Sequence, residues 1–321
     1  MRVHCDGYVR TGTGIGVVQR KLYPFLESFG VELSIGESRD RGDGALRRAL
    51  GLIIGLLRRP QEGEVFLSLV PPFPLQLTSP AVTIVHDLRW MRTRDGVSRA
   101  YRAWDLRRAV RRSDRIICIS ERTLHDLVAF APESRTKATV AWEGPGIVTE
   151  QVFSENIPGR VLLIGGGAHK RNELAARVLA RRPAWCKSVV GVGLSPQART
   201  LLDDAYPGAT EWVVRPTDEQ LIDLYRSAEF FLFLGTEEGF GLPYIEALSS
   251  GCIVIAVDQP LTRELLGEAA VLVIDGDARD IESQLKHRAW PPLMERRKLA
   301  ARFSWRAFAE HVRDELEATT R

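Results

Sequence analysis

No two cysteines stand in a C-x-x-C spacing; the four present, Cys5, Cys118, Cys186 and Cys252, are scattered, each inside an apolar or strand-like run. That argues against a zinc ribbon or a dithiol redox motif and for buried, reduced thiols in a cytosolic protein. No apolar run approaches the roughly 20 residues a membrane-crossing helix needs; the longest is Ala49–Leu57. The opening MRVHCDGYVR has no continuous apolar stretch, so no secretion signal is expected and the location reads as cytoplasmic. An excess of one charge is also missing. Forty-four Lys and Arg face 41 Asp and Glu, a formal +3, so any basic function is local. No Arg–aromatic arrangement resembles a nucleic-acid module, which excludes nucleic acid as a partner. No Asp-x-Asp stands in a loop suited to a metal, so neither a metal site nor a cofactor is expected.

What remains is an ordinary globular composition, 45% hydrophobic and 26% charged over 321 residues, enough for roughly two domains at about 150 residues each. Short Val/Ile/Leu runs alternate with helical patterns. Strands are expected at Met1–Tyr8, Val31–Ile35, Val65–Val70, Val82–Val85, Arg115–Ile119 and Thr139–Ala141. The pattern restarts at Arg160–Ile164 and continues through Ser188–Gly191, Glu211–Val214, Phe230–Leu234, Ile253–Ala256 and Ala270–Val273. Apolar strands alternating with helices imply parallel sheets covered on both faces. The fold class is therefore α/β, with two doubly wound Rossmann-like domains facing a cleft. They are expected at 1–150 and 151–302, joined by an irregular linker at Trp142–Pro158. Ligands of such folds sit at the carboxyl ends of the strands.

One stretch carries chemistry: Gly235-Thr236-Glu237-Glu238-Gly239-Phe240-Gly241-Leu242-Pro243-Tyr244-Ile245-Glu246-Ala247-Leu248-Ser249-Ser250-Gly251. Glu238 lies just past an expected buried strand, the glycines let backbone amides approach a ligand, and Pro243 suits a first helical turn. Glu246 follows about one turn later. Carboxylates accept hydrogen bonds from hydroxyls, and a helix N-terminus favours phosphate. A nucleotide-sugar, with vicinal hydroxyls on both sides of a diphosphate, matches that set.

The stretch resembles the E-x7-E motif of glycosyltransferase family 4, which has the GT-B fold. The likeness is strong over about Arg160–Asp275 and weaker before it. It implies that Glu246 hydrogen-bonds the ribose, that Glu238 hydrogen-bonds the donor sugar, and that backbone amides of Gly239, Phe240, Gly241 and Leu242 help hold that sugar. In Ile164-Gly165-Gly166-Gly167-Ala168-His169-Lys170-Arg171-Asn172, Lys170 matches the family lysine that neutralises the diphosphate. The family's loop arginine is absent, and Arg171 is the candidate to compensate. Gly14-Ile15-Gly16 resembles the family's first glycine loop, with Gly14 and Gly16 facing the diphosphate. His86-Asp87 resembles the family's His-Asp pair, whose His contacts the donor sugar near the anomeric centre. Ser120-Glu121 is similar to a family pair on the acceptor side, though Ser120 also reads as a helix cap. Arg215 and Pro216 stand where the family holds the base, and Tyr225-Arg226-Ser227-Ala228 resembles a family helix end that packs in the core. Phe303-Ser304-Trp305 with Arg306–Ala318 is similar to the family's last helix, so 303–321 is expected to pack back on the first domain and act in the hinge.

The resemblance implies a retaining, metal-independent hexosyl- or deoxyhexosyl-transferase. It would move a sugar from a nucleoside-diphosphate sugar to a hydroxyl of a carbohydrate, lipid-linked or metabolite acceptor, in a role such as polysaccharide biosynthesis. The missing arginine leaves an alternative, a non-catalytic GT-B subunit that binds a nucleotide or scaffolds a partner. Arg99, Arg102, Arg107, Arg108, Arg111, Arg112 and Arg115 make the first domain locally basic. With Arg47-Arg48 and Arg58-Arg59 flanking an apolar helix, they suggest peripheral contact with the inner membrane face.

Overall fold

The computed structural model describes the chain except residues 6–13, 37–52, 58–61, 70, 94, 148–155, 166, 287 and 321. Residues 11–13 of the expected glycine turn, both Arg pairs at 47–48 and 58–59, Gly166 and much of the expected linker lie outside the described residues. The chain divides into two compact units, Met1–Gly144 with Ser304–Arg321, and Pro145–Phe303.

The first unit carries β1 (Arg2–Cys5), β2 (Glu32–Ile35), β3 (Val65–Ser68), β4 (Ala81–Val85), β5 (Arg115–Cys118) and β6 (Ala138–Val140). They form one parallel sheet in the order β2-β1-β3-β4-β5-β6. The central β3 and β4 are buried along their whole length, whereas the edge strands β2 and β6 are not. This is why the central strands read as unbroken apolar runs.

The second unit carries β7 (Ile157–Ile164), β8 (Ser188–Val192), β9 (Thr210–Val213), β10 (Ala228–Phe233), β11 (Ile253–Val257) and β12 (Val271–Val273). Their order is β12-β11-β10-β7-β8-β9, again parallel. Alternation along β10 sends aromatic rings to opposite faces. Phe230 lies 5.0 Å, ring to ring, from both Trp185 and Trp290, while Phe231 meets Tyr225 at 5.6 Å and Phe233 meets Tyr244 at 5.0 Å.

The first helix starts at Gly14, three residues before the expected Val17, so Gly14 and Gly16 belong to its first turn. The tail breaks twice, after Leu285 and again before Trp305, where the Ser304 hydroxyl accepts from the Ala307 amide and caps a new helix. The four cysteines are buried and none is in a disulfide. Burial pushes the Cys118 and Cys252 thiols up to about 12 and Cys186 to about 11, so these three stay protonated and unreactive at neutral pH.

Candidate functional site

In the second sheet β8 and β9 extend to one side of β7, while β10, β11 and β12 extend to the other. The loops leaving β7 and β10 therefore turn to opposite faces and open a crevice at the carboxyl ends of these strands, where doubly wound folds bind ligands. The loop after β7 leads through Lys170 into the helix Asn172–Leu179, and the loop after β10 leads through Glu238 into the helix Leu242–Ser249.

Two glycines shape these loops. Gly165 has φ +115°, and a Cβ there would collide with the Lys170 Cδ, so its bareness lets the lysine side chain lie across the turn. The Asn172 amide donates to the Gly165 carbonyl and fastens that turn. The Lys170 ammonium sits 5.4 Å above the Phe233 ring centroid, a cation–π contact. Gly241 has φ +82°, and a Cβ there would fall 2.6 Å from the Tyr244 ring. Tyr244 and Gln259 both donate to the Gly235 carbonyl at 3.3 Å, which holds the start of the second loop.

Glu246 is 8% exposed. Burial raises its pKa above the ordinary glutamate value, against a bond from the Tyr225 hydroxyl, the charge of Lys170 and the Gly146 backbone amide. The Tyr225 hydroxyl donates to Glu246 Oε2 at 2.8 Å. Such a carboxylate gains from any further hydroxyl donor brought to it. Glu238 lies against His169, with Nε2 3.8 Å from its Oε1. The Tyr244 hydroxyl is pushed well up by burial and then by the negative charge of Glu238.

The structure thus brings Lys170, Glu238 and Glu246 together with the backbone of Gly239, Phe240, Gly241 and Leu242. The Phe240 side chain is 3% exposed and packs edge-on against Phe303. Arg171 is the left-handed N-cap of the Asn172–Leu179 helix, and its Nη1 pairs with Asp275 Oδ1 at 2.7 Å. Its guanidinium is therefore engaged with Asp275. In the triplet Asp275-Gly276-Asp277, Asp275 pairs with Arg171 and Asp277 Oδ1 accepts from the Arg279 and Asp280 amides. Arg215 stands exposed after β9, with β8 between that edge strand and β7.

In the first unit, His86 follows β4 and lines a cavity of about 130 Å³ with Ile15, Ser68, Leu69, Arg102 and Asp105. Gly14 and Gly16 flank Ile15 in sequence at the start of their helix. Asp87 Oδ1 accepts from the Arg89 amide at 2.9 Å, a turn-forming bond. Ser120 accepts from the Thr123 amide at 3.1 Å as a cap. The seven arginines do not form one face. Arg102 lines the cavity, Arg108 bonds Asp105 and the Phe73 and Pro74 carbonyls, and Arg115 pairs with Glu315. Arg99, Arg107, Arg111 and Arg112 remain exposed, on the same helix as exposed Val97 and Trp104.

Sequence reasoning missed His169, Tyr244 and the bond from Tyr225. The usable signal was chemical: a tyrosine on an apolar helix or strand face must find a partner for its hydroxyl, and nearby carboxylates are the strongest acceptors.

Comparison with known proteins gives a family match that lies inside the second unit. Residues 171–288 match the family described as "Glycosyl transferases group 1". The GDP-mannose:cellobiosyl-diphosphopolyprenol alpha-mannosyltransferase of Xanthomonas campestris is 29% identical over 127 residues, 36% of this chain and 33% of that protein. The match thus spans about a third of this relative. The structure of WaaG, a glycosyltransferase involved in lipopolysaccharide biosynthesis, superposes with a TM-score of 0.69 at 13% identity, over 98% of this chain and 99% of that one. That of Anabaena Alr3699/HepE with UDP and glucose gives 0.64 at 13% identity, over 99% and 100%. The fold is GT-B, and within its second unit the chain is similar to the group 1 glycosyltransferases.

Proposed function

We propose that the chain is a retaining, metal-independent glycosyltransferase moving a hexosyl or deoxyhexosyl group from a nucleoside-diphosphate sugar to an acceptor hydroxyl. The observation that supports this best is the convergence of Lys170, Glu238 and Glu246 at the β7–β10 crevice. Glu246 accepts from the ribose hydroxyls and Glu238 from those of the donor sugar. Lys170 faces the diphosphate and stabilises the charge that develops as it leaves, the task a metal performs elsewhere. His86 contacts the sugar near its anomeric carbon. The acceptor oxygen attacks on the face the phosphate leaves: the sugar–phosphate bond breaks, the new glycosidic bond forms, and the departing phosphate oxygen takes the acceptor proton.

The name of the Xanthomonas relative specifies GDP-mannose and a diphosphopolyprenol-linked acceptor, so GDP-mannose is the first donor to try and a lipid-linked glycan the first acceptor class. Thermal melts with UDP, GDP, ADP, CDP and dTDP identify the base through selective stabilisation. Glu246→Ala is then expected to weaken donor binding about tenfold or more through the lost charged hydrogen bonds. Lys170→Ala is expected to lower kcat by about 10²–10³, with turnover unchanged by EDTA. Full activity in both variants overturns the assignment.

A second reading, a subunit that binds donor without turning it over, is favoured by the engagement of Arg171 with Asp275. Stabilisation by one nucleotide without donor hydrolysis or transfer would select it. Peripheral membrane contact through Arg99, Arg107, Arg111 and Arg112 is tested by sedimentation with phosphatidylglycerol vesicles. Loss of binding in the fourfold Glu variant supports it, and equal binding to neutral vesicles refutes it.

A further inference from the structure

The first unit holds a buried acid–imidazole pair whose acid the reading above leaves unused. Glu143, just beyond β6, is 2% exposed, and its Oε1 lies 3.4 Å from His86 Nδ1. The two strands flank β5, so their carboxyl ends converge across it. Among the described residues no hydrogen bond reaches Glu143 Oε1, and its ion-pair contact is this imidazole. A carboxylate so deeply placed loses its hydration and must be met by a cation or a donor. The other ring nitrogen, His86 Nε2, is also buried without a hydrogen-bond partner among the described residues, and His86 lines the cavity beside Ile15, Ser68 and Arg102. Buried polar atoms rarely stay unsatisfied, so an unpartnered nitrogen on a residue that lines a cavity is a place for a ligand hydroxyl.

We propose that Glu143 is a positioning residue that accepts the His86 Nδ1 proton and so presents Nε2 as an acceptor to a substrate hydroxyl. In a neutral imidazole one nitrogen donates and the other accepts, so fixing the first sets the second. The carboxylate also holds the ring orientation, as second partners of functional histidines do. The inference rests on the reading of His86 as a donor-sugar contact.

The test has two arms. Long-range ¹H–¹⁵N spectra, with the His86 signal assigned through His86→Asn, are expected to show the proton on Nδ1 at neutral pH. It should move to Nε2 in Glu143→Leu and stay in Glu143→Asp. In steady state, Glu143→Gln is expected to lower kcat about 10- to 100-fold at nearly constant donor KM, with partial recovery in Glu143→Asp. The double variant with His86→Asn should be no worse than His86→Asn alone, because the two residues act as a unit. A wild-type proton on Nε2, or losses that add in the double variant, overturns the proposal. Full kcat in His86→Asn instead removes the reading beneath it, and the tautomer measurement, which needs no turnover, tells the two failures apart.

Discussion

Glu246 shows how one side chain trades stability for binding. Its folded pKa is raised by burial, so protonation is easier in the folded chain than in the unfolded one. The stability this residue contributes is complete below the ordinary glutamate range, near pH 4.3, and is lost as pH rises through the raised value. Glu246→Gln keeps an acceptor for Tyr225 without the buried charge. It is expected to melt at or above the wild-type temperature at neutral pH, with the gain vanishing below about pH 4, while donor affinity falls. A lower neutral-pH melting temperature would show that the charge is well compensated in the ligand-free state. The two glutamates could be paired from the sequence because their spacing is local to one loop and one helical turn. Tyr225 was not, because its hydroxyl meets Glu246 through packing between two helices that sequence distance does not reveal.

At the scale of elements, the loops are built on glycine. Gly241→Ala places a Cβ in a left-handed residue and against the Tyr244 ring. It is expected to cost about 1–3 kcal/mol in stability and to lower donor affinity by shifting Gly239–Leu242. Denaturant unfolding and nucleotide titration read the two effects separately, and unchanged values in both would mean the loop is not under this constraint. The twelve strands among the described residues were legible to within a few residues, the central ones most plainly because a strand buried on both faces must be apolar throughout. Helix starts were harder. Gly14 and Gly16 read as turn residues, yet they sit in the first helical turn. The short helix Trp90–Thr93 carries no periodicity long enough to register.

At the scale of the whole molecule, the helix Trp305–Ala318 is a structural member of the first unit. Trp305, Phe308, Val312 and Leu316 are each at most 5% exposed. Thr139 bonds His311 and Glu315 at 2.9 and 3.0 Å, Arg115 pairs with Glu315, and Arg313 lies 5.2 Å over the Phe29 ring. At about 1.5–3 kcal/mol for each large apolar side chain buried, the four are worth a domain's whole margin of about 5–15 kcal/mol. Truncation after Phe303 is expected to abolish protected amides in β1–β6 by hydrogen exchange while those of β7–β12 persist; protection retained in both sheets would contradict the assignment. Because Pro145–Phe303 lies between the two segments of the first unit, a nascent chain makes the second unit entirely before the first has all its parts. On the ribosome the amino-terminal sheet must therefore wait, with the docking face for this helix uncovered, until translation has passed Ser304, so chaperone dependence during synthesis should concentrate on the half that is made first.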